Sequence, residues 1–416
     1  MSKVLFFNIA AHGHTYPTLP LVAELVRRGE RVIYYSTGTT FQQVIEATGA
    51  TFRNSATPFL NEKTQIDESM IKVAYMLLQN ASASLTSLLP QVREEKPDYI
   101  IHDGLSPWGR YIAQITGVPS ICSMTTFAIP PFTLKNIGQL FKDPGDGRLL
   151  LFSTPVSDVA RMSLEGRAEF ANFRALSHAL HRTYGIAKPH LLDMFTNRAR
   201  LNIVYTTEQF QPCVEMLDNS FKLVGPSIVA RSEPVAFPFD MLGDTPIIYI
   251  SLGTVFNDKA DFYRACIEAF AGRDRQVVLS VGQRMDMAAL GTIPPNFLVR
   301  SFVPQLELLQ RAALLITHGG MNSVSEALYY GVPLLIIPQA ADQNLVGQRI
   351  AQLGAGKTLR RTRVTARKLR QIAEEILARP TYQQTSERLG KSFGQAQGYL
   401  RAADEITLFK RIQGIE

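Results

Sequence analysis

The chain opens twice in the same way, and that repetition limits its fold more than any other property. Val4 to Ile9 is a short apolar run, followed by a glycine-containing loop, Ala11 to Tyr16, and a helix pattern from Pro17 to Arg28 with Leu19, Val22, Leu25 and Val26 on one face. Gly29 ends that helix and Arg31 to Tyr35 starts a second strand. A strand, helix, strand unit with so short a connection requires a parallel pair joined by a right-handed crossover. Tyr99 to His102 and Val118 to Ser123 extend the pattern, so residues 1–222 read as one doubly wound α/β domain. Residues 223–244, with Pro226, Pro234, Pro238 and Gly243, have the punctuation of a linker. A second alternation then begins. Strands are expected at Ile247 to Ser251, Gln276 to Val281, Phe297 to Ser301, Leu314 to Thr317 and Leu334 to Ile337, and helices at 259–271, 322–330 and 343–353. Residues 364–413 read as two or three amphipathic helices.

At 416 residues the chain is long enough for two or three cores, and 46% apolar with 19% charged residues excludes a disordered or fibrous chain. No apolar run approaches the roughly 18 residues of a membrane span. The opening, with Lys3 as its only early charge and no small-residue cleavage site, does not read as a signal peptide. Cys122, Cys213 and Cys266 stand far apart in no metal-like spacing, and the expected setting is a reducing cytoplasm. The net charge of +7 comes from residues 357–416, which hold 13 Lys and Arg against 6 Asp and Glu. A basic tail can serve nucleic acid or an anionic membrane. Here the acids Glu374, Glu375, Glu387, Asp404 and Glu405 are interspersed, as on a solvated helix face, so neither nucleic acid nor integral membrane association is expected.

The segment from Thr317 to Glu326, Thr-His-Gly-Gly-Met-Asn-Ser-Val-Ser-Glu, carries the strongest chemical signal. A buried strand ends at Thr317, glycines such as Gly320 let backbone approach a ligand, and Asn322 and Ser323 open a helix whose amides and dipole attract an anion. His318 and the Ser323 hydroxyl add donors, and Glu326, one turn on, is placed for ribose hydroxyls. These parts suit a nucleotide diphosphate; a capped glycine turn with a surface Glu is the competing reading. Phe302-Val303-Pro304-Gln305 follows a strand and can hold a flat base by ring contact and by the Gln305 amide. Asp342 and Gln343, at a helix start after the next strand, suit sugar hydroxyls, although Asp342 also fits a simple helix cap. In the first half, the loop Ala11-His12-Gly13-His14-Thr15-Tyr16-Pro17 stands at a strand's carboxyl end, where an imidazole can take a proton near neutral pH. His14 is the expected general base, and His12 the more structural of the two.

The run from Phe302 to Gln343 resembles the donor-binding signature of the inverting nucleotide-sugar glycosyltransferases of family 1, which include bacterial macrolide and flavonoid glucosyltransferases. The resemblance implies the GT-B fold: α/β, two facing Rossmann-like domains with a parallel sheet in each, and a C-terminal helix that crosses back to the N-terminal domain. Its implied boundaries are an acceptor domain at 1–222, a donor domain at 245–395 and the returning helix at 396–416. By the same resemblance His318 and Ser323 contact the diphosphate, Glu326 the ribose, Gln305 the base, and Asp342 with Gln343 the transferred sugar. The turn Ser251-Leu252-Gly253-Thr254 matches a further phosphate-side loop, which places Thr254 in the set. His14 precedes Pro17 as the family's base precedes a proline, and Asp103 is similar to the Asp that orients it. Phe302 stands where many members carry Trp. The expected reaction moves a hexose, glucose foremost, from a UDP-sugar to a hydroxyl of a lipophilic small molecule, a polyphenol or macrolide.

No cofactor beyond the co-substrate is expected, since no Asp-x-Asp pair occupies a plausible loop and no His/Cys cluster has zinc spacing. The absence of a G-x-G-x-x-G or Walker loop counts against a dehydrogenase or kinase. Met70, Met76, Phe127, Phe132, Phe141 and Phe152 are candidates for a hydrophobic acceptor pocket, or equally for core packing. Two rival readings remain: a lipid-linked sugar transferase working at a membrane surface, and a two-domain protein that binds a sugar without chemistry.

Overall fold

A computed structural model describes residues 1–55, 70–129, 164–229, 237–243, 245–254, 257–339 and 342–415. The chain divides into two compact units, Met1–Ser227 with Ala396–Glu416, and Ile228–Gln395.

In the first unit the strands are β1 (Lys3–Asn8), β2 (Arg31–Ser36), β3 (Thr51–Asn54), β4 (Tyr99–Asp103), β5 (Ser120–Met124), β6 (Leu201–Val204) and β7 (Phe221–Leu223). They form one parallel sheet in the order β3-β2-β1-β4-β5-β6-β7. Alternate residues of each strand serve opposite layers, as the two-residue period of a strand dictates. Leu5, Phe7, Ile33 and Ile100 pack with Leu77 and Leu85 of the helix Met70–Glu95 and with Trp108 of the helix Pro107–Thr116. Val4, Phe6, Tyr34 and Ile101 face the other way, toward Leu21, Val22 and Leu25 of the helix Leu19–Arg27. That second layer is completed by Ala402, Ala403, Ile406 and Phe409 of the helix Tyr399–Ile412, so the last helix returns to the first unit. Arg28 pairs with Asp404 at 2.8 Å and Lys410 with the buried Glu30, which puts part of the basic tail into ion pairs within this unit. Val224 lies in the same core.

The second unit contains β8 (Ile247–Ser251), β9 (Val277–Ser280), β10 (Phe297–Arg300), β11 (Ala312–Thr317), β12 (Leu334–Ile336) and β13 (Gly356–Thr358). Its parallel sheet runs β10-β9-β8-β11-β12-β13. One face packs against Tyr263, Cys266 and Phe270 of the helix Ala260–Phe270 and against Leu369, Ala373 and Ile376 of the helix Ala366–Ala378. Further along, Lys357 and Arg379 both pair with Glu375.

The strand order has the same consequence in both sheets. The chain builds outward from the first strand on one side, then reverses and places its fourth strand against the first on the other. Loops leaving those two strands diverge to opposite faces, and ligands of doubly wound sheets bind in the crevice this opens. In the first unit that point lies between β1 and β4; in the second, between β8 and β11.

Candidate active site

The expected loop after β1 is replaced in part by a turn of helix, His12–Thr15, because the Ala11 carbonyl accepts from the amides of both His14 and Thr15 at 3.0 and 2.8 Å. The expected helix from Pro17 correspondingly becomes a 3-10 turn, Tyr16–Thr18, and the helix Leu19–Arg27. Buried Asn8, the last residue of β1, anchors this turn: its Nδ2 donates to the His14 carbonyl at 3.0 Å and to the Tyr34 hydroxyl at 2.5 Å. Asp103 is the last residue of β4, the other strand of the switch point, and its side chain is fully buried. Its Oδ1 accepts from the Leu105 amide at 2.7 Å and its Oδ2 faces His14 Nδ1 at 2.8 Å. A carboxylate accepts only, so Nδ1 carries the proton and Nε2 is left as the basic nitrogen. The Thr125 hydroxyl, just past β5, lies 3.1 Å from the same Nδ1. The His14 side chain keeps 21% of its surface exposed, enough to meet a substrate. His12 instead packs its ring against Tyr16 and Phe41 at centroid distances of 5.7 and 4.8 Å.

The Asp103 carboxylate does not cap the helix Pro107–Thr116, whose N-cap is Ser106, and Trp108 is core. Phe127 is 3% exposed and packs on Phe210, as a core residue does. Phe132, Phe141 and Phe152 lie outside the described residues.

At the second switch point the parts are different. Thr317 ends β11, and the half-buried His318 ring, 3.1 Å from the Thr317 hydroxyl, is flanked by two glycines. A Cβ on Gly253 would stand 2.6 Å from its Cε1, and one on Gly320 would stand 2.5 Å from its Nε2. No larger residue fits either position without moving the imidazole. Loss of hydration in this cradle lowers the His318 pKa to about 4, against a smaller upward effect from the Ser251 backbone, so the ring is neutral at neutral pH. Gly319 takes φ +89, and a Cβ there would meet Ile336 at 2.6 Å. Gly320 is then the N-cap of the helix Met321–Tyr329 and offers no side-chain cap. First-turn amides, unused by their own helix, face the point where the chain enters it.

Ser323, Glu326 and Gln305 come together. The Gln305 amide donates to Glu326 Oε2 at 2.5 Å, lies 3.4 Å from the Ser323 hydroxyl, and accepts at its oxygen from the Tyr249 hydroxyl at 3.0 Å. Glu326 is 5% exposed rather than a surface residue. Beside this group Val303 is buried and Phe302 is 38% exposed, an aromatic face left at the surface after β10. Asn322 is half-buried and Thr254, after β8, is exposed. Asp342 occupies the N-cap of the helix Gln343–Leu353 without capping it by its side chain. Gln343 is buried, and its Oε1 accepts from the Gln339 amide at 2.8 Å.

Thr125, Asn8, Tyr249 and Asn257 take part without having been read from the sequence. Asn257, 4% exposed, donates to the Gly253 carbonyl at 2.8 Å and so braces the loop that carries Thr254. No periodicity marks such a residue. Only the pattern of a polar side chain close behind a strand end and a glycine hints at it.

The chain is similar to known proteins. Residues 264–395 match the family model described as erythromycin biosynthesis protein CIII-like, C-terminal domain. An NDP-glycosyltransferase of Bacillus licheniformis, YjiC, is 34% identical over 421 residues and covers 99% of both chains. The chain belongs to the family 1 GT-B glycosyltransferases. A Bacillus subtilis protein described as an uncharacterized UDP-glucosyltransferase, YojK, is 31% identical across 98% of this chain and 97% of its own. The solved structure of the calicheamicin glycosyltransferase CalG4 superposes with a TM-score of 0.76 at 28% identity, covering 99% of this chain and 98% of that one. The protein is therefore a glycosyltransferase, and among its described residues no helix is long and apolar enough to cross a membrane.

Proposed function

We propose that this glycosyltransferase moves a hexose, glucose foremost, from a UDP-sugar to a hydroxyl of a lipophilic small molecule, by single displacement with inversion. His14 Nε2 takes the proton of the acceptor hydroxyl, and the freed oxygen pair forms the bond to the anomeric carbon. The bond from that carbon to the diphosphate oxygen breaks as the new one forms, so configuration passes from α to β and UDP leaves with the electron pair. Asp103 holds the imidazole in the tautomer this needs and stabilises the imidazolium that results. The carrying observation is the 2.8 Å contact between His14 Nδ1 and a fully buried carboxylate, at the switch point of the first sheet.

The donor half of the proposal draws on the second unit. The N-terminus of the helix Met321–Tyr329 and the neutral His318, a donor through one ring N–H, meet the diphosphate. Ser323 supports them, Glu326 accepts from the ribose, and Asp342 with Gln343 reads the sugar. Phe302 offers its exposed ring to the base, with Gln305 beneath it. The names of the Bacillus relatives favour a nucleoside diphosphate donor, and uridine in particular. The erythromycin and calicheamicin descriptions favour a natural-product acceptor, such as a macrolide. We further propose that no metal takes part, because helix and loop donors already address the leaving group. Mass spectrometry of products from UDP- and TDP-sugars with phenolic and macrolide acceptors tests the whole reading. Transfer by the native enzyme and none by His14→Ala is the expected result; an active His14→Ala enzyme would remove the base assignment.

A further inference from the structure

Behind the buried carboxylate lies a second polar layer. His102, the residue before Asp103 in β4, is fully buried, and so is Asn197, 95 positions further along the chain. The Asn197 amide lies 3.1 Å from the Asp103 carbonyl and 3.2 Å from His102 Nδ1. A carbonyl needs a donor, so it is Nδ2 that faces this pair, and the two hydrogens of Nδ2 are both used if His102 Nδ1 is an unprotonated acceptor. Burial lowers the His102 pKa to about 4, outweighing the upward pull of the Asp103 backbone, while Arg110 presses in the same downward direction as burial, so the ring is neutral and carries one N–H. The Ser106 amide donates to the same Asp103 carbonyl at 2.9 Å. Asp103 is thus held by its backbone from one side while its carboxylate faces Leu105 and His14 on the other.

The cost of this arrangement is visible. Asn197 sits at φ 35, in the left-handed region, and its Oδ1 is buried without a hydrogen-bond partner. The buried oxygen without a partner is a cost to stability, and the left-handed backbone is one that asparagine tolerates less well than glycine. Glycine would remove both penalties, but with them the donor to the Asp103 carbonyl.

We infer that Asn197 is a positioning residue for the base: it fixes the Asp103 peptide, and through it the direction in which the carboxylate meets His14. The inference rests on the reading of His14 and Asp103 as the base dyad. Asn197→Gly keeps the left-handed backbone and removes the amide. Its kcat/KM should fall about tenfold, because a looser carboxylate supports the imidazolium less well. For the same reason the acid limb of its kcat/KM against pH profile should move down by roughly half a unit. UDP binding measured by calorimetry should stay at the native value, and Tm should stay within about 3 °C of it. Asn197→Asp, which cannot donate to the Asp103 carbonyl when ionised, should be at least as impaired. A merely structural role would lower Tm and the active fraction but leave the acid limb in place. An Asn197→Gly profile that superimposes on the native one overturns the inference. If Asp103→Asn is impaired in that experiment and Asn197→Gly is not, only this inference falls; if Asp103→Asn is fully active, the dyad reading falls with it.

Discussion

The two units repeat one topology and put a histidine at the same architectural point, yet they make different chemical objects of it. In the first, the loop leaving β1 brings His14 to an acid at the end of β4. In the second, the loop leaving β8 brings Gly253 to His318, which follows β11. An imidazole next to a buried carboxylate keeps one fixed tautomer; an imidazole pressed between glycines loses water and stays neutral. Strand order therefore determines where a site forms, and the residue type on the facing loop determines what it does.

The largest test of that contrast is removal of each ring. His14→Ala should lower kcat by about 10²–10⁴-fold, the usual contribution of a general base, while UDP affinity measured by calorimetry stays native. His318→Ala should do the reverse and weaken UDP binding about tenfold, a loss of one or two hydrogen bonds. Equal effects of both variants on UDP affinity would erase the distinction. Gly253→Ala tests the cradle without touching the ring: its Cβ displaces the imidazole, and the UDP affinity should fall with no movement of the acid limb of the pH profile.

Acid stability separates the units on a smaller scale. His102 has a pKa of about 4 in the fold against 6.5 when exposed, so the unfolded chain binds more protons between those values. The stability that its neutral burial provides is whole above pH 6.5 and declines as pH falls toward 4, by about 3 kcal/mol in all. His318 acts in the same direction in the second unit. UDP bound beside it should raise its pKa, so hydrogen exchange at pH 5 should show the second unit protected by UDP against this loss and the first unit unchanged. The smallest expected effect is that of EDTA, which should leave the transfer rate as it is; a rate that collapses with EDTA and returns with Mg²⁺ would refute a leaving group held by helix and loop alone.

Much of this was legible before any coordinates. The run Ile247–Ser251 and the helix Gln343–Leu353 were read with their observed bounds, because continuous apolar residues and clear punctuation mark both. His14, Asp103 and the glycines beside His318 were legible because strand ends and glycines mark where a chain can approach a ligand. The short edge strand β13 escaped, since Gly356, Lys357 and Thr358 show no apolar pattern. Gly356 is there for contact: a Cβ would stand 2.0 Å from the Leu334 carbonyl. The helical turn at His12–Thr15 escaped because Gly13 breaks the pattern. Asn197 escaped for a deeper reason, as its partners are brought to it by β4 and nothing near it in sequence points to them. The burial of Glu326 and the use of both ends of the Gln305 amide are likewise matters of packing, which periodicity does not encode.

The helix Tyr399–Ile412 leaves one more mark, on the order in which the protein is made. Ala402, Ala403, Ile406 and Phe409 belong to the core that Val4 and Phe6 begin, so the first unit encloses nearly the full sequence between its opening strand and its closing helix. During synthesis the second unit has all of its residues before the first does. The part of the first unit that emerges from the ribosome first must wait, with one apolar layer of its sheet only partly covered, for the helix Tyr399–Ile412.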